Sequence, residues 1–156
     1  MKSTALATLI ALTASSASAL SCNFGNVQSA WHEVEAHGLP TQLVQGTFDM
    51  REAWRLFEEE DYALRGQFRG VAIASDGSTQ PLQLDVLIQG ACINGDCGYL
   101  RPGEEVLTFL VNDPAVTFPV SHSWPCSSYP MAPTQENRDA MLTCMTAGPC
   151  EAEFRN

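Results

Sequence analysis

The stretch from Leu82 to Gln89 (LQLDVLIQ) constrains the fold more than any other feature of this chain. Its even-numbered positions are all aliphatic, whereas the odd-numbered positions carry two glutamines, an aspartate and one leucine. A period of two is typical of a strand that is half-buried in an antiparallel sheet. The chain is therefore expected to fold mainly around a sheet.

Four other segments have strand character, and glycines interrupt two of them. These segments are Thr41–Phe48, Leu64–Ala74, Glu105–Val111 and Val116–Trp124. Gly46 lies inside the first, and Gly66 and Gly70 lie inside the second. Glycine within a strand marks a sharp bend or a close approach of backbones, and short bent strands favour a small closed barrel. We predict a mostly β fold, a small five-stranded OB-like barrel, with an open two-layer α+β sheet as the alternative.

Helices are predicted on both sides of these strands. The N-terminal helix is Asn23–Ala36, whose apolar residues repeat at helical spacing before Gly38 ends it. The C-terminal helix begins after Thr134, whose side chain can cap it. Its apolar face consists of Met141, Leu142, Cys144 and Met145. The segment Met50–Asp61 shows features of both a helix and an exposed loop and stays unassigned.

One hydrophobic core is predicted inside the barrel. Its expected members are Leu84, Val86, Ile88, Leu107 and Phe109. The fifth strand is expected to add Phe118, Val120 and Trp124.

Residues 1–21 have the features of a secretory signal peptide. Lys2 is positively charged, Ala5–Ala14 is a short apolar run, and Ala17-Ser18-Ala19 matches a cleavage site. The run is too short for a membrane span, which needs about 20 apolar residues. Cleavage after Ala19 or Ser21 would leave a single OB-like domain over residues 22–156, periplasmic or secreted.

All six cysteines lie after this segment, and an even number in an exported chain indicates disulfide bonds. Many connectivities are open to six cysteines. Closeness in sequence favours Cys92–Cys97 and Cys144–Cys150, which leaves Cys22 for Cys126. The sequence contains no C-x-x-C pair, the spacing typical of zinc sites, and no cofactor is expected.

The chain is acidic, with a formal net charge of −10. Lys2 is its only lysine, and the arginines are scattered, so nothing resembles the basic surface that nucleic acid requires. Only Arg65 and Arg69 share one strand face. Nucleic acid is therefore not an expected partner.

Several short segments carry a likeness to a known family. They are Cys22, Leu43–Phe48, Leu84–Ile88, Cys92, Cys97-Gly98, Pro102–Leu110, Pro125-Cys126-Ser127 and Thr134–Met145. Together they resemble the netrin-like, tissue-inhibitor-of-metalloproteinases type of OB-fold in a bacterial exported form.

The resemblance implies a role in binding proteins, and it draws attention to the start of the mature chain. The animal inhibitors begin with a C-x-C pair whose first cysteine binds the zinc of the protease. Here Cys22 is followed by Asn23 and Phe24, so the second cysteine is missing. These three residues are the candidate interaction edge. The family's pattern also implies a connectivity in which the first cysteine reaches a mid-chain loop.

The three histidines do not form a recognisable catalytic or metal motif. His32 and His37 are five residues apart, about 140° around a helix, whereas the zinc-protease motif needs a separation of four. Glu33 is four residues before His37 and can pair with it. His122 lies between two serines on a predicted strand, without a nucleophile elbow.

The expected function is that of an exported, monomeric, non-enzymatic domain that binds a protein or another partner of the cell envelope. The alternative is a metalloprotease inhibitor acting through the Cys22 end. A second alternative is a small metal-dependent hydrolase built on His32, His37 or His122.

Overall fold

The structure is a computed structural model that describes residues 26–50, 61–91, 100–124, 127–147 and 150. Two helices flank a run of strands, as predicted. The elements are α1 (Val27–His37), β1 (Thr41–Asp49), β2 (Asp61–Ile73), β3 (Thr79–Ala91), β4 (Glu105–Val111), β5 (Val120–Ser123) and α2 (Gln135–Ala147). The segment Met50–Asp61 lies largely outside the described residues.

The strands form a closed barrel in the order β1-β2-β3-β5-β4. Antiparallel pairing of β1 with β4 closes it, and β5 runs parallel to β3. The predicted five-stranded OB-like barrel with an N-terminal and a C-terminal helix is therefore confirmed. The closed arrangement excludes the open-sheet alternative.

Two glycines allow β1 and β2 to cross closely. Gly46 and Gly70 face each other in the antiparallel register. A Cβ atom built on Gly70 would lie 2.6 Å from the Cα atom of Gly46. This closeness explains why the sequence has glycine at both positions, because any side chain would push the strands apart.

Local capping interactions begin both helices. The Asn26 side chain accepts a hydrogen bond from the backbone N–H of Ser29, so α1 begins at Val27 and not at Asn23 as predicted. Gly38 ends it in the left-handed conformation, with φ of 61°. Thr134 Oγ1 accepts from the N–H of Asn137 at the start of α2, as its position in the sequence suggested.

The predicted single core is wrong, because the structure contains two. The barrel core consists of Val44, Phe48, Met50, Tyr62, Leu64, Phe68, Val86, Ile88, Leu100, Val106 and Leu110, with Leu82 and Leu84 packed against it. The helix-side core consists of Val27, Ala30, Val34, Leu43, Ile73, Leu107, Phe109, Tyr129, Met141 and Cys144. Strand β4 is buried on both faces, so Val106 and Leu110 point into the barrel while Leu107 and Phe109 point toward the helices.

Hydrogen bonds attach α1 to the segment that precedes α2. The Glu33 carboxylate accepts from Ser127 Oγ at 2.8 Å and from the Ser128 N–H at 3.2 Å, so this carboxylate binds the 127–128 segment and not His37. Burial and the negative charge of Glu33 raise the pKa of the neighbouring Tyr129 to about 12. The two helices and this segment thus cover the same side of the barrel.

The fifth strand is shorter than predicted. It spans Val120–Ser123, whereas the prediction ran from Val116 to Trp124. Two prolines, Pro114 and Pro119, flank the preceding residues and cannot donate to a ladder. The placement of Phe118 and Trp124 in the core is consequently wrong: Phe118 is half-buried beside Arg65, and Trp124 is 40% exposed.

The register of β3 leads to a stability prediction. Ile88→Ala removes a fully buried side chain from the barrel core and is expected to destabilise the fold by about 2–5 kcal/mol. Gln83→Ala changes an exposed residue on the opposite face of the same strand, and its effect is expected to stay within about 0.5 kcal/mol. Urea denaturation followed by circular dichroism measures both. Equal losses would contradict this register.

Candidate binding groove on the open face of the barrel

The outer face of β1, β2 and β3 away from the helices is polar. Asp49, Gln67 and Asp85 occupy one row of register partners across these three strands. Arg69 and Gln83 are partners in the next row. Register partners point to the same face of a sheet, so these side chains lie together on the outer surface.

The carboxamide of Gln67 lies at the centre of this face. Its Oε1 accepts from Nη2 of Arg69 at 2.8 Å and from Nε at 3.1 Å. Its Nε2 donates to Oδ1 of Asp85 at 3.4 Å, and Gln83 Nε2 donates to the same Oε1 at 3.4 Å. These contacts fix the orientation of the amide and hold two charged side chains in place.

A groove of about 400 Å³ opens between this polar network and the loop before β5. It is lined by Asp49, Arg65, Gly66, Gln67, Asp85, Val86 and Phe118. At one end the guanidinium carbon of Arg65 lies 5.0 Å from the ring centroid of Phe118, which is a cation–π geometry. The volume falls within the range of small-ligand sites, about 300–1,000 Å³.

The lining carries polar groups of several kinds. It offers two carboxylates, a guanidinium, a carboxamide and one aromatic ring, so it can donate and accept hydrogen bonds at once.

No site on this face was predicted from the sequence, although three of its polar residues were placed on strand faces. Arg65, Arg69 and Asp85 are exposed on strand faces, as predicted. The contribution of Phe118 was missed, because its segment was interpreted as part of a core strand. The flanking prolines were the available signal that this segment is a loop.

The three histidines lie in two different regions of the structure. The Nε2 atom of His32 contacts the carbonyl oxygen of Cys150, and its Nδ1 lies 3.7 Å from Glu35. The rings of His37 and His122 stack with their centroids 5.4 Å apart, a contact that the sequence analysis missed. Within the described residues, no three potential ligands approach closely enough to hold a metal ion.

One of the proposed disulfide bonds is present in the described residues. It joins Cys144 to Cys150. Cys22, Cys92, Cys97 and Cys126 lie outside them, as does the candidate interaction edge formed by Cys22, Asn23 and Phe24. Their pairing and the inhibitor hypothesis therefore stay predictions.

No helix among the described residues combines the length and the apolar character that a membrane crossing would require.

Comparison of the chain with protein-family models, with curated proteins and with solved structures finds no match. The likeness to the netrin-like domains thus stays an expectation from short sequence segments.

Proposed function

We propose that this chain is a non-enzymatic binding domain of the cell envelope or its exterior, and that it recognises a protein partner through the groove beside Arg65 and Phe118. The observation that carries the proposal is the asymmetry of the barrel. One side is covered by both helices and the helix-side core, whereas the face of β1–β3 carries an ordered polar network around a groove.

The composition of the groove suits a polar, extended segment of a partner. Carboxylates at Asp49 and Asp85 accept from backbone or side-chain N–H groups, while Arg65 and the Gln67 amide offer donors. Arginine and aromatic residues dominate the binding energy of many protein interfaces, which favours the Arg65–Phe118 wall as the anchor.

Analogy with the fold supports the same location. OB-type barrels bind ligands on the face of strands 2 and 3 and with the loop between strands 4 and 5. The groove uses β2, β3 and that loop. Because fold alone does not determine function, this analogy supports where on the barrel a partner binds and not which partner it is.

The test compares capture of envelope proteins by the wild-type chain and by Arg65→Ala. The variant is expected to bind its partner about tenfold or more weakly, equivalent to about 1.4 kcal/mol. Arg138→Ala is the matched control, since it removes the same charge from α2 on the helix-covered side.

Quantitative binding of the captured protein, by calorimetry or biolayer interferometry, decides the outcome. A partner that is retained equally by Arg65→Ala and the wild type would contradict the groove as its site. Equal weakening by both arginine variants would point to overall charge instead.

A further inference from the structure

Three parallel rings connect the end of α1 to β5. His37 is the last residue of α1, and its ring plane lies within 12° of that of His122. His122 stacks in turn on Trp124, with centroids 6.3 Å apart and planes within 19°. We refer to His37, His122 and Trp124 as the ring ladder.

The position of His122 makes a positive charge costly there. The residue is half-buried, and its Nδ1 atom is buried without a hydrogen-bond partner among the described residues. Its register partner on β3 is the neutral Gln89, and its neighbours on β5 are Ser121 and Ser123. Burial lowers the pKa of His122, and the charge of His37 lowers it further.

The acidic groups of α1 are engaged elsewhere. Glu33 binds Ser127 and Ser128, and Glu35 lies beside His32. Among the described residues, the charge that lowers the pKa of His122 is that of His37.

We propose that His37 and His122 form an acid-sensitive latch between α1 and β5. When both imidazoles bind protons, two like charges face each other across the stack, and the end of α1 separates from the barrel. At neutral pH His122, whose pKa is lowered by burial, is uncharged, and the stacking of the two rings holds the contact closed.

The direction of the pH effect follows from linkage. The pKa of His122 in the closed state lies below the ordinary histidine value of about 6.5, so the open state binds more protons. The latch is therefore stable above that value and weakens as the pH falls below it.

The experiment measures the histidine titrations by NMR together with hydrogen exchange of the α1 backbone amides. Between about pH 7.5 and about pH 5, opening of the last turn of α1 is expected to increase after correction for intrinsic exchange, because the open state binds more protons. His122 is expected to titrate below about 6.5.

Two variants distinguish opening of the latch from an overall loss of stability at acidic pH. His37→Gln replaces an exposed ring, so the fold should persist; the pKa of His122 should rise and the pH dependence of α1 should weaken. His32→Gln is the control, because His32 lies on the same helix outside the ring ladder, and it should keep the wild-type pH dependence. A His122 pKa at or above the ordinary value, or unchanged pH dependence in His37→Gln, would overturn the proposal.

Discussion

Gly70→Ala is expected to destabilise the barrel strongly, by overpacking the crossing of β1 and β2. A Cβ atom at Gly70 would lie 2.6 Å from the Cα atom of Gly46 and closer still to the carbonyl oxygen of Gln45. Both are backbone atoms of the paired strand β1, so no side-chain rotation relieves the overlap. We expect a loss at or above the upper end of the range for overpacking, about 1–3 kcal/mol.

Gly66→Ala is the matched control on the same strand. Its added Cβ would lie 2.8 Å from the Cδ1 atom of Ile88, the end of a flexible side chain, and 3.0 Å from the backbone oxygen of Asp49. A smaller loss is therefore expected. Urea denaturation of both variants measures the difference, and equal stability of Gly70→Ala and the wild type would refute the close crossing of β1 and β2.

Phe109→Ala is expected to cost about 3–5 kcal/mol. Phe109 is 1% exposed in the helix-side core. Its ring lies 6.2 Å from that of Trp31 on α1 and 5.9 Å, edge to face, from that of Tyr129. Removing it leaves a cavity where α1 and the 127–131 segment meet the barrel, so the helices should loosen before the strands do.

Phe118→Ala makes the same chemical change at the groove and serves as its control. That ring is half-buried beneath Arg65, so its truncation should cost clearly less stability while weakening partner binding. Chemical denaturation gives the free energies, and hydrogen exchange of α1 amides reports the loosening. A Phe109→Ala protein as stable as Phe118→Ala would contradict the helix-side core.

Features that depend on neighbouring residues could be predicted from the sequence. The alternation in β3 indicated its buried face, and Val86 and Ile88 are buried as predicted. The end of α1 at Gly38 and the cap of α2 at Thr134 followed from local backbone chemistry. Glycines inside two segments indicated strongly bent strands and hence a closed barrel.

Features that depend on which elements meet were decided only by the tertiary structure. Strand β4 is apolar on both faces, and its sequence does not say that one face meets the barrel interior and the other meets two helices. The stack of His37 on His122 and the position of Phe118 beneath Arg65 join residues far apart in the chain. Periodicity and capping report the local conformation of each segment, whereas the register of the closed barrel determines which distant side chains become neighbours.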